Sequence, residues 1–145
     1  MAITQAIANS FKKQLLDGDM DFTAAPSGDI FKIALYTSSA TLNSATTSFT
    51  TGNQVPNSGQ YTSGGGKLVN LATSITAGVA RVDFSDRSFT GVTLTARGAL
   101  IYNTYFSNKA VAVLNFGSDK TATSGTFTIQ FPAATSTAAI LRISG

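Results

Sequence analysis

An all-β fold is predicted for this chain: an antiparallel two-sheet β-sandwich, jelly-roll-like or Greek-key-like, with one N-terminal amphipathic α-helix. Three observations lead there. From Asp29 onward, apolar and polar residues alternate with a period of two. Charged residues make up only 12% of the 145, about half the usual share, and Ser, Thr, Asn and Gln fill the polar positions, a composition suited to strands and turns. Helical periodicity is confined to the first sixteen residues. The length and the 43% hydrophobic content suit a single domain over 1–145.

Within the N-terminal segment Ile3, Ile7, Phe11 and Leu15 recur every fourth residue, predicting a helix over 2–16. Thr4 or an earlier residue would cap its start, and Gly18 sits where a left-handed C-terminal cap places glycine. The stripe needs a partner surface. The short return through "DGDMDF" to Phe22 favours packing on the chain's own sandwich, and docking on a neighbouring subunit is the alternative. "DIFKIALYT" then predicts a strand, with Phe31, Ile33 and Leu35 on one side and Lys32, Ala34 and Tyr36 on the other. Residues 37–66 form a long polar surface loop, with an edge strand near Phe49 and too few apolar residues for a core element. Seven further strand candidates follow: "KLVNLAT", "VARVDFS", "FTGVTLTA", "GALIYN", "KAVAVLNFG", "GTFTIQFP" and "AAILRIS".

The residue inventory restricts chemistry. The chain has no His, Cys or Glu, so Ser-His-Asp and Cys-His nucleophiles, HExxH zinc sites and paired-Glu glycosidase sites are excluded. Asp17, Asp19 and Asp21 alternate as in a calcium loop, but Phe22 stands where the loop needs glycine and no Glu is present to close the coordination sphere. The stretch is better explained as the helix's exit turn. Ser10-Phe11-Lys12-Lys13 matches S-x-x-K without its companion motifs, and "GGGK" at 64–67 lacks the first glycine and the Ser or Thr of a P-loop. Asp83 and Asp86 are expected to pair with Arg81 and Arg87 as a structural ion cluster. No catalytic residue, cofactor or metal is therefore expected.

A net charge of +3 spread over scattered Lys and Arg gives no nucleic-acid footprint. There is no apolar run long enough for a membrane span and no signal-peptide pattern, which leads us to expect a soluble, unprocessed chain. Phe84, Phe89, Phe116, Phe127 and Phe131 are expected in the core. Tyr102, Tyr105 and Phe106, around the "YNTYFSNK" turn, are either core or an exposed recognition tip. With Ile3, Ile7, Phe11 and Leu15, they form the candidate interface.

The stretches "ITQAIANSFKKQLLDG", "DIFKIALYTSSATL", "YTSGGGKL", "FTGVTLTARGALIYN" and "NKAVAVLNFGSDKTATSGTFTIQFP" together resemble small structural proteins of tailed bacteriophages. The resemblance covers most of the chain in one order and departs in the polar tract between Leu42 and Tyr61, which looks variable in such proteins. It implies a virion component on the outer capsid surface, a capsid decoration or cement protein bound to the major capsid protein, with no catalytic residues. Self-association as a homotrimer is expected, because such proteins sit on capsid axes where three copies meet and closed symmetry hides strand edges. The alternative is a tail or fibre component that binds host-surface glycan through loops such as Tyr102 to Lys109.

Overall fold

A computed structural model describes residues 2–132 and 139–144. They form two antiparallel sheets and one short helix, as the periodicities predict. The elements in order are β1 (Ala6–Ile7), α1 (Asn9–Leu16), β2 (Phe31–Tyr36), β3 (Gly66–Lys67), β4 (Ser74–Thr76), β5 (Val79–Val82), β6 (Arg87–Asn103), β7 (Lys109–Ile129) and β8 (Leu141–Ile143). The larger sheet runs β1-β7-β6-β2-β3 and the smaller β4-β5-β8. Ala138, the first residue of the "AAILRIS" candidate, lies outside the described residues.

Four strand candidates of the second half merge into two long strands. "FTGVTLTA" and "GALIYN" lie in β6, and "KAVAVLNFG" and most of "GTFTIQFP" in β7, paired from Arg87↔Ile129 to Asn103↔Lys109. Register shifts fall between Phe89 and Val92, Val92 and Leu94, and Ala96 and Gly98, with a fourth, away from glycine, between Ile101 and Tyr102. Glycine here therefore marks an irregularity inside a strand rather than a turn between two. At Gly98 a Cβ would come within 2.5 Å of the Leu114 carbonyl oxygen and 2.8 Å of Ile3 Cγ2, so only glycine lets the N-terminal segment lie this close to β6.

The N-terminus departs from the helix expected over 2–16. Residues 2–8 are extended, Ile3 bridging Leu42 in parallel and Ala6–Ile7 pairing with Val113 and Ala112 of β7. The helix starts after Ala8, which has extended backbone angles and no side-chain cap, so Thr4 caps nothing. Tertiary pairing wins because the edge of β7 offers the backbone a ladder, whereas a short isolated helix is only marginally stable. The C-terminal cap forms where expected: Gly18 has φ +82°, Gly18 N donates to Leu15 O and Asp19 N to Gln14 O, the paired bonds of a Schellman motif.

Of the stripe, Ile3 and Phe11 are buried, Ile7 and Leu15 are partly buried, and all four pack against the chain's own core. Phenylalanines knit the helix to the larger sheet and to the segment after β5: Phe11 meets Phe22 edge-on at 5.9 Å, Phe22 stacks on Phe31 at 4.5 Å, and Phe84 lies 5.8 Å from Phe31 and 5.6 Å from Phe131. Phe89 and Phe127 are also buried, while Phe116 and Phe131 are partly so. Substitution Phe11→Ala is expected to cost about 3–5 kcal/mol, whereas Leu16→Ala, at a side chain 87% exposed, is expected to cost under about 0.5 kcal/mol. Urea unfolding of the two variants checks this; equal losses would mean the cluster does not hold the helix.

Candidate interaction surface

The polar tract over 37–66 forms no strand before Gly66, as its few apolar residues lead one to expect, yet those few are packed into the core. Ala40, Leu42, Val55 and Tyr61 are buried, and near Phe49 only an isolated bridge forms, Ser48 to Lys109. Its backbone is tied locally by its own side chains: Asn43 Oδ1 accepts from Ala45 N, Thr50 Oγ1 from Gly52 N, and Gln54 Oε1 from Gly64 N. Three phenols then fasten it to the larger sheet. Tyr36 donates to Thr50 O at 2.6 Å, Tyr61 accepts from Leu35 N at 2.8 Å, and Tyr102 donates to Gly64 O.

Tyr102 is therefore not part of an exposed tip: it is 2% exposed, with Phe49 stacked on it at 4.7 Å. Phe106 is partly buried against the core, and Tyr105 alone projects, at 64% exposure. The turn is held by Asn103, which accepts from Tyr105 N at 2.9 Å and donates to Asp29 Oδ2 at 2.7 Å. Asp29 Oδ2 also accepts from Asp21 N, joining the helix exit to the hairpin tip, and Asp21 Oδ1 accepts from Thr23 N and Oγ1. Two carboxylates of the "DGDMDF" region and its return thus serve as local hydrogen-bond acceptors. Among the described residues no group of three acidic side chains converges. Tyr105 borders a cleft of about 170 Å³ lined by Pro26, Asp29, Lys67 and Asn70, whose buried Oδ1 has no hydrogen-bond partner.

The expected ion cluster does not form. Arg81 is buried and donates to Ser74 Oγ and Thr76 Oγ1 instead. Arg87 lies over the Phe89 ring at 4.7 Å, Asp83 accepts from Phe84 N, and Asp86 from Phe131 N. Hydroxyls so close along β4 outcompete carboxylates that bond nearby backbone.

The apolar surface missed in the sequence lies around the smaller sheet. An open groove of about 600 Å³ separates α1 from that sheet, walled by Phe11, Leu15, Leu16, Val82, Leu141 and Ile143. Leu16 is 87% exposed, Ile75 71% and Ile143 60%. The signal was present in "LVNLATSIT", an apolar stretch without charge, and in Leu16 standing beside the stripe rather than on it. Among the described residues no helix is long and apolar enough to cross a membrane. Comparison with protein-family models, with curated proteins and with solved structures finds no match.

Burial pushes the Tyr61 phenol up to about 12 from the ordinary 10.0 and raises Tyr36 and Tyr102 as well. The folded state holds these protons after the unfolded chain has lost them. Their stabilisation is therefore complete below pH 10 and is lost as pH rises from 10 toward about 12. Thermal melts across this window should show a falling midpoint, and Tyr61→Phe should flatten the fall; an unchanged slope in the variant refutes the assignment.

Proposed function

We propose that the chain is a structural component of a tailed-bacteriophage virion, a capsid decoration protein that binds the major capsid protein on the outer capsid surface. The observation that carries this reading is where the resemblance falls. Its stretches supply β1, α1, β2, β3, β6 and β7, the elements that build the larger sheet and the helix against it. The side-chain inventory fits a role in presenting surface rather than in catalysis, since His, Cys and Glu are lacking and the three buried phenols are held protonated. The outward face of β6 and β7 is polar, with paired hydroxyls, Ser88 with Thr128 at 2.8 Å and Thr95 with Thr121 at 2.9 Å, and the Arg97–Asp119 ion pair.

A second reading, a tail or fibre module binding host glycan, is favoured by one feature. Exposed Tyr105 stands beside a cleft with polar Asp29, Lys67 and Asn70, the pairing of an aromatic platform with hydrogen-bonding groups that sugars need. Co-sedimentation with undecorated capsids and a glycan array on the same protein separate the two. Capsid binding with a blank array is the expected result; sugar binding abolished by Tyr105→Ala, without capsid binding, overturns the decoration reading.

A further inference from the structure

We propose that the strand edge from Ala72 to Thr76 pairs, antiparallel and about a two-fold axis, with the same edge of a second copy of this chain. The argument starts from the four ends of the two sheets. The edge strand β3 carries Lys67 and β8 carries Arg142, while β1 has two residues and passes directly into the helix. Charges and shortness are the ordinary means of keeping an edge from pairing with another chain. β4 carries no charge, and among the described residues nothing covers its outer edge. From Leu68 to Ala80 there is no charged residue and no proline, and every residue from Leu71 to Gly78 is exposed.

The edge is nonetheless held in strand form. Arg81, itself buried, clamps Ser74 Oγ at 2.7 Å and Thr76 Oγ1 at 2.9 Å, fixing both alternate side chains on one face. A two-residue turn at Ala77 and Gly78, with φ of 52° and 76°, closes the hairpin onto β5. Thr76 and Val79 bond across that hairpin, so the N–H and C=O of Ile75 point away from it. Farther back, the strand is already covered, because Asn70 O accepts from Ala25 N at 3.0 Å. The open stretch therefore begins after Leu71, which is itself 39% exposed.

What fits such an edge is an extended, uncharged strand, and the same segment of a second copy supplies one. Pairing centred on Ile75 satisfies its outward backbone groups and brings two Ile75 side chains, each 71% exposed, against one another. It also sets Ser74 opposite the other copy's Thr76, the kind of hydroxyl pair that β6 and β7 already make internally. Ile75, Ala80 and Ile143 lie opposite one another in register, so the dimer would extend one apolar row across six strands. Two-fold pairing makes a dimer, in place of the trimer that the resemblance implies. The inference stands apart from the virion reading, and a dimer that binds no capsid leaves it intact.

Sedimentation over a concentration series, with Ile75→Lys and Leu16→Lys, tests it. Both sites are exposed, and circular dichroism is the check that each variant keeps the wild-type fold. The expected result is a wild-type dimer, a dissociation constant raised at least about tenfold by Ile75→Lys through two facing like charges, and little change with Leu16→Lys. Amide exchange at Ile75 should be slow in the dimer and fast on dilution. A wild-type monomer at every concentration, a trimer, or a dimer broken by Leu16→Lys but not by Ile75→Lys overturns the proposal.

Discussion

The pairing of β6 with β7 is the constraint on which the other elements depend. It spans the hairpin from Arg87↔Ile129 to Asn103↔Lys109, and its two outer edges receive the rest of the larger sheet: β2, followed by β3, docks on the second half of β6, and β1 on β7. One face alternates inward through Phe89, Val92, Leu94 and Ala96, which fixes register because a one-residue slip would turn that set to solvent. Asn103, fully buried, joins the hairpin tip to Asp29 and so places the start of β2. Without that hairpin neither the helix nor the polar tract has a surface to lie on.

The tract over 37–66 shows how a segment poor in apolar residues becomes part of a fold. Local side-chain acceptors satisfy its turns, and four buried apolar residues give it footholds. Phenol bonds do the rest, each reaching between the sheet and the tract: Tyr36 and Tyr102 from strands to tract carbonyls, Tyr61 from the tract to β2. Closeness is permitted by glycine. At Gly65, with φ +80°, a Cβ would lie 1.8 Å from Ile33 O, so the tract can cross β2 there only without a side chain. β2 is consequently buried on both faces, although its sequence alternates as if one faced water.

The period-two alternation made the all-β class legible, and the return of the chain at Gly18 was legible from the glycine itself. The lengths of β6 and β7 were not, because Gly91, Gly98, Gly117 and Gly125 punctuate the sequence as turns do, and only the facing strand tells a bulge from a turn. The start of the helix was hidden for a related reason: Ile3 and Ile7 fit a helical stripe and an extended segment equally, and the choice was made by β7, over a hundred residues away. Tyr102 illustrates the limit for the candidate site. Its neighbours in sequence are those of an exposed turn, while the Phe49 ring and the Gly64 carbonyl that bury it come from the tract.

Polar satisfaction and apolar exposure divide between the two sheets, and this decides where another chain can bind with gain. The larger sheet meets solvent with hydroxyls paired to each other and with the Arg97–Asp119 ion pair, so it leaves little apolar surface for a partner to cover. Around the smaller sheet the opposite holds. Leu16, Val69, Leu71, Ile75 and Ile143, five of the six large apolar side chains that the described residues expose, lie on it or along its border. Covering them removes apolar surface from water at no cost in hydrogen bonds. Ile143 walls the groove beside α1 and also shares the apolar row of Ile75, so the groove and the open edge are two parts of one surface joined through β5. The larger sheet thus acts as the frame, and the exposed apolar surface is left to the sheet that the frame does not cover.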